Sequence, residues 1–541
     1  MKNFFKTLSF VLIVGFLFNS CRNPAYNIDV LMDANIMNYK ATFIVSDAVS
    51  GVPAGLTVSV NGQDAAKVYD FSATKAIYAP GGIATIGIPY MYTPTANAPL
   101  VFNMLFKAPG YMDKLIPVEI QLNQYQQQIP VTMVKLAQNN AADSYAYVAS
   151  APVTLAASGA TTAPVTVTTP TTKVPEASSI TIPTGTTFKS ETGATLSGAP
   201  LTIQMVTYDA TDAATIGMFP GGDFSAPAVT MPTLTGSAFF IPAALTTIRM
   251  FVGTTEVKSF SGPVSVTMYL DPTFVPDATG VPVAPGNVLP VYSYDVNTGV
   301  AVFESNQTVT LVGGKPALVF TTLHLCEKIT GNIYNTTNCK DIKVTASASW
   351  LTEGSSRPVT VQVFNATGTR LLATMPLTLK DGLVSTLGKL PPIGVQYKVV
   401  DVTGEILANG TIADPCAGAP LNIVITKPAG VIENIRLVLN VTCPNKGRII
   451  VPNFDLFFKA PGAADSDYKL LGTASKGILT TTTLKVGTTY QFKAIWGNQV
   501  KIVAPRTITS ADMATTVGEG FYGDHAANEN TALLIEACNN Y

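Results

Sequence analysis

Only His324 and His525 carry an imidazole in this 541-residue chain, so any relay that passes a proton to histidine must use one of them. His324 stands two residues before Cys326, at the end of an apolar alternating run, and reads as a core or edge residue. Asp524-His525 with Glu529 carries metal-donor atoms, but in a polar tail with no further ligand nearby. The six cysteines, Cys21, Cys326, Cys339, Cys416, Cys443 and Cys538, include no pair at the two-to-four spacing of a local zinc site. Asp271, Asp277 and Asp295 with Asn297 are candidates for a calcium site between loops, without the dense alternation of an EF-hand. No glycine-rich phosphate loop precedes a helix. No local motif singles out a carboxylate pair for glycoside hydrolysis, since such pairs meet only in space. The expectation is therefore no catalytic residue, no metal and no cofactor.

Sugar-binding platforms need exposed aromatic rings. Trp350 and Trp496 are the only tryptophans, and both read as core. Tyr90-Met91-Tyr92 and Tyr145-Ala146-Tyr147 each place two rings on one face if they lie on strands, a pattern that suits a contact surface or a core.

The surroundings are poor in charge. Lys and Arg number 33 against 34 Asp and Glu, a net charge of −1, which gives no electrostatic reason to expect nucleic acid as a partner. Charged residues make up 12%, against about 25% in an ordinary soluble protein. The 42 glycines and 37 prolines exclude a long coiled coil, and the balanced charge excludes charge-driven disorder for the bulk of the chain.

Lys2 and Lys6 precede an apolar run at 8–18, broken only by Ser9 and Gly15. It falls short of the roughly 20 residues of a bilayer span. It ends in Leu17-Phe18-Asn19-Ser20-Cys21. This resembles a bacterial lipoprotein signal in the looser form of the Bacteroidota, with Phe18 and Asn19 where the usual pattern has Leu and a small residue. The resemblance implies a signal peptide at 1–20, cleavage before Cys21 and lipidation of the Cys21 sulfur; the other reading is an ordinary signal peptide with an incidental cysteine. Two or three acyl chains would anchor the chain stably in the lipid bilayer. Arg22-Asn23-Pro24 lacks the Asp that resembles an inner-membrane retention signal, which favours the cell outer membrane. It also lacks the acidic run that resembles a surface-export signal, so the periplasmic and surface faces stay open. No later stretch has 18 or more consecutive apolar residues.

Export permits disulfides. Cys326 and Cys339 flank a polar stretch and are expected to staple a loop, an effect worth roughly 3 kcal/mol in a chain-entropy model. Cys443 is left to pair with Cys416 or Cys538, the former on separation. An odd number remains after Cys21, so one thiol is free or intermolecular.

Short alternating runs between turn signals fill most of the chain, for example Leu56-Thr57-Val58-Ser59-Val60 before the turn at Asn61-Gly62, and Val359-Thr360-Val361-Gln362-Val363. The pattern predicts an all-β protein of tandem Ig-like β-sandwiches in series. Residues 27–138 carry Ser50-Gly51-Val52-Pro53-Ala54-Gly55, Val58-Ser59-Val60-Asn61-Gly62, Phe106-Lys107-Ala108-Pro109-Gly110-Tyr111 and Val131-Thr132-Met133. These resemble a carboxypeptidase-regulatory-like or transthyretin-like sandwich, which implies a seven-stranded module without catalytic residues. Residues 149–177, rich in Thr, Pro and Ala, read as an extended spacer or as an edge strand of the next unit. Residues 178–324, with Ile180-Thr181-Ile182, Phe219-Pro220-Gly221-Gly222 and Tyr292-Ser293-Tyr294-Asp295, are similar to a ZU5-type sandwich, which implies protein interaction. Residues 341–413 read as an Ig-like sandwich, 414–506 as a C-terminal sandwich that repeats the Phe-Lys-Ala-Pro-Gly string at Phe458-Lys459-Ala460-Pro461-Gly462, and 507–541 as a polar tail.

The function expected from these features is non-enzymatic: a lipid-anchored envelope protein acting as scaffold, adhesin or accessory subunit of an outer-membrane protein complex, or binding a cell-surface partner. The alternative is a glycan-binding lipoprotein of a polysaccharide-uptake system.

Overall fold

The computed structural model describes residues 32–508 and 515–516, other than 34–36, 48–50, 72–73, 96–97, 123–125, 137–143, 172–173, 175, 219–223, 232–233, 278, 296–298, 352–356, 380, 383, 389, 429–434, 439–440, 444–447, 452–453, 464–466, 475–477, 497–498 and 503. The protein is all-β: tandem sandwiches follow one another in series along the chain.

In the first sandwich, Met37–Asp47 runs between antiparallel Ile83–Pro89 and parallel Gln126–Met133, with Tyr69–Asp70 at the edge. Thr57–Asn61, Leu100–Lys107 and Lys114–Ile120 form the opposing sheet. Period-two alternation sets each strand's faces: Leu100, Phe102, Met104 and Phe106 are buried while Val101 and Lys107 are exposed. Phe43 and Phe106 meet across the sheets at 5.5 Å between ring centroids. Gly62 turns the chain with φ 102°, and a Cβ there would sit 3.3 Å from the Phe102 Cα, so this turn needs glycine. Thr57–Asn61 has Leu100–Lys107 as its partner, because the chain crosses after the turn to Tyr69–Asp70 in the other sheet.

The second sandwich has an 8-stranded and a 7-stranded sheet. The 19-residue strand Leu234–Val252 pairs with Ser225–Met231, Leu201–Tyr208 and Glu327–Asn335. Tyr145–Ala149 and Val165–Thr168 are edge strands of these two sheets, paired with Leu201–Tyr208 and Ser178–Ile182 respectively. The stretch 149–177 is therefore no free spacer. Val167 turns into the core while Thr166 and Thr168 face out, the alternation of a strand and not of an extended polyproline segment.

The third sandwich sets Arg357–Asn365, Leu371–Leu379, Val395–Asp401 and Ile406–Ile412 against Ile342–Ser347, Val384–Leu387 and Leu421–Val424. Trp350 donates its indole N–H to the Ile425 carbonyl at 2.9 Å and packs against the core. The fourth unit is built on Phe454–Lys459, Lys469–Ala474 and Thr489–Trp496, with Ile435–Val438 and Ile478–Thr481 in a second sheet.

The chain also closes on itself. Lys40 of the first unit donates to Asp455 of the fourth at 2.7 Å, both buried, and Thr85 donates to the other Asp455 oxygen at 2.6 Å. Ile83 packs beside them with Phe457, Leu470 and Ile495. Met32–Asp33 adds a parallel strand to Arg448–Val451. Arg357 of the third unit donates to the Thr482 carbonyl of the fourth at 3.0 Å and pairs with Asp401.

The expected Cys326–Cys339 staple does not form. Glu327–Asn335 between them is a nine-residue strand and not a loop, and at about 3.3 Å per residue it spans roughly 30 Å. Gly331 within it faces Pro242 across a bulge, where a Cβ would lie 2.2 Å from the Ile241 carbonyl oxygen. Cys339 instead bonds Cys416, 77 residues on, with Cα atoms 4.3 Å apart, which also removes the expected Cys416–Cys443 pair. Cys326 is a free thiol.

Candidate functional site

A cleft of about 670 Å³ opens between the first and second sandwiches. Leu105, Lys107 and Asp113 form one wall, and Arg249, Glu304, His324 and Cys326 belong to the other. Three strands deliver its chemistry. Val300–Thr308 supplies Glu304, Lys315–His324 ends on His324, and Cys326 sits in the connection before Glu327–Asn335. That connection is pinned by the Leu325 amide, which donates to the Lys258 carbonyl at 3.3 Å.

His324 uses its two nitrogens separately. Nε2 lies 2.8 Å from a Glu304 oxygen, and Nδ1 lies 3.6 Å from the Cys326 sulfur. The hydrogen bond with Cys326, and then the one with Glu304, push the imidazole pKa up to about 9. The same histidine contact, followed by a hydrogen bond from Ser293 and the charge of Lys328, holds the Glu304 carboxyl down to about 2 against the opposing effect of burial. Lys328 lies beneath, almost fully buried, and donates to Ser293 at 2.6 Å, to Glu304 at 3.3 Å and to Thr322 at 3.4 Å. Glu304, His324 and Cys326 present sulfur, nitrogen and oxygen donors within 4.8 Å of one another. Chemically the set can polarise a thiol through an imidazole, or hold a metal ion.

His324 stands at the end of its strand, where the sequence placed it, and the structure adds its contacts with Glu304 and Cys326. The His-x-Cys spacing was the legible part of the signal. Glu304 and Lys328 carried none, because only the sheet brings them under His324.

The other candidates separate. Asp271 is buried against Thr273 and Arg370, whereas Asp277 accepts from Tyr334 at 2.7 Å and Asn332 at 2.9 Å; Asp295 lines the cleft. Asn297 lies outside the described residues, as do Cys21, Asp524, His525, Glu529, Cys538 and the side chains of Cys443 and Trp496. Tyr145 and Tyr147 are core. Tyr90–Tyr92 is a short 3-10 turn that leaves Tyr90 65% and Met91 63% exposed, an apolar knob rather than a strand face. Among the described residues no helix is long and apolar enough to cross a membrane.

No protein-family profile matches the chain, and no curated protein matches it. Among solved structures, it is similar to a streptococcal ancillary pilin at 10% identity and TM-score 0.15, over 44% of this chain and 93% of that one. The Bacillus anthracis TIE protein aligns at 11% identity and TM-score 0.15, over 69% of this chain and 74% of that one. The minor pilin of Streptococcus agalactiae aligns at 13% identity and TM-score 0.14, over 33% and 94%. At such scores no functional conclusion transfers from these proteins to this one.

Proposed function

We propose that the chain is a non-enzymatic envelope protein, anchored in the outer membrane through lipid on Cys21, that works as a rigid scaffold, adhesin or accessory subunit by binding another protein. The observation that supports this reading is the clamp of Lys40, Thr85 and Asp455 between the first and fourth sandwiches. A buried ion pair with a third hydrogen-bonding partner fixes two modules in one geometry, as a platform requires. Cys21 stands eleven residues before Met32, so at about 3.5 Å per residue the lipid would tether the clamped pair within roughly 40 Å of the bilayer.

Native pull-down from detergent-solubilised outer membranes tests the reading, and a stoichiometric protein partner is expected. Turnover of a polysaccharide or peptide by the purified protein would overturn it, and saturable binding on a glycan array would favour the uptake-system alternative. Cys21→Ser should move the protein from the membrane to the soluble fraction; unchanged fractionation would remove the lipid anchor from the proposal.

A further inference from the structure

We infer that Glu304, His324 and Cys326 form a binding site for a zinc-type divalent ion at the wall of the cleft between the first and second sandwiches. The three residues offer thiolate, imidazole and carboxylate, the donor set that suits zinc. The spacing agrees. Tetrahedral bonds of about 2.3 Å to sulfur and about 2.0 Å to nitrogen place the two donors about 3.5 Å apart, and Cys326 Sγ lies 3.6 Å from His324 Nδ1. Glu304 lies within 4.8 Å of the other donors but on the Nε2 edge of the ring, at 2.8 Å, so it closes a third bond by leaving Nε2 and swinging to the Nδ1 edge. All three side chains line the cleft, which leaves the fourth position open toward it.

The surroundings favour a cation independently of the three donors. The cleft is lined by the carboxylates of Glu191 and Asp295 in addition to Glu304, while Asp113, Glu256 and Glu327 face Lys107, Lys258 and Arg249. Lys328 opposes the ion at short range, but its ammonium is committed to Ser293 and Thr322 as well as to Glu304. The ion takes the thiol as thiolate and the imidazole through a nitrogen without its proton, with any proton on either group passing to solvent.

The test is calorimetric titration of Zn²⁺ into the full chain after chelator treatment. One ion per chain is expected. Affinity should fall roughly 100-fold or more in Cys326→Ser and His324→Ala, and about tenfold in Glu304→Gln. Co²⁺ in place of Zn²⁺ should give a near-ultraviolet thiolate-to-metal band that is absent from Cys326→Ser. Alkylation of Cys326 on the folded protein should abolish binding, which keeps the test valid if a variant fails to fold. Equal affinity after alkylation, or no saturation below millimolar Zn²⁺, overturns the site. Rapid alkylation of Cys326 at a rate indifferent to Zn²⁺ would assign the cluster to thiol reactivity instead.

Discussion

At the seam between the first and fourth sandwiches, Lys40, Asp455 and Thr85 satisfy one another, with Phe71 5.3 Å from the ammonium. At the seam between the second and third sandwiches, Arg370 meets three acids, Glu176, Asp209 and Asp271. Arg370 donates to the Ala210 carbonyl at 2.6 Å and stands 3.7 Å from Asp271, while one oxygen of Glu176 is buried with no hydrogen-bond donor. Burial, and then the charge of Asp209, push the Glu176 carboxyl up to about 7. Both seams bury charge, but only the first balances it. A satisfied pair fixes a geometry, whereas an excess acid makes its seam responsive to pH.

Breaking the satisfied seam should have the largest effect. Asp455→Ala leaves Lys40 buried without its carboxylate and should cost about 3–5 kcal/mol, read as a lower denaturant midpoint or separate melting of the fourth unit. Lys40→Met with Asp455→Leu removes both charges and should recover most of that loss; no recovery would mean that the pair contributes more than mutual compensation.

The strained seam should respond in the opposite direction. Glu176→Gln removes the excess charge and should stabilise the protein at pH 8 by up to roughly 3 kcal/mol, because burial makes the ionised carboxylate costly there. In the native protein the Glu176 carboxyl has a raised pKa, so its protonated form is the favoured one in the fold. Its contribution is complete below the unfolded carboxylate range and fades as pH rises through about 7. Thermal midpoints should therefore decline between pH 5 and 8, and the decline should be shallower in Glu176→Gln. Identical slopes would mean that the seam is insensitive to Glu176.

The cleft cluster should give the smallest change in stability. Glu304 and His324 are partly exposed, so Glu304→Gln should cost about 1 kcal/mol or less. Its contribution has a pH window of its own. The depressed Glu304 pKa removes stability as pH falls toward 2, and the raised His324 pKa removes it as pH rises from about 6.5 through 9.

The sequence revealed what depends on local period. Alternation located strands such as Thr57–Asn61 and Arg357–Asn365, and from them the sandwich class. It missed what depends on partners distant in the chain. Val165–Thr168 read equally as spacer or edge strand because threonine and proline suit extended chains in either setting, and only Ser178–Ile182 decides for the strand. The Cys326–Cys339 expectation counted residues and did not weigh that the segment between them could be straight. Lys40 and Asp455 carry no local mark at all.

The clamp also sets an order of events during synthesis. Lys40 and Ile83 belong to the first sandwich to be synthesised, and their partners Asp455 and Phe457 follow about 400 residues later. Until then the first sandwich carries an uncovered apolar patch and an ammonium without its carboxylate. Nascent chains cut short before residue 455 would keep that patch exposed permanently, and so mark themselves for chaperones and proteases, while completion of the fourth sandwich hides it.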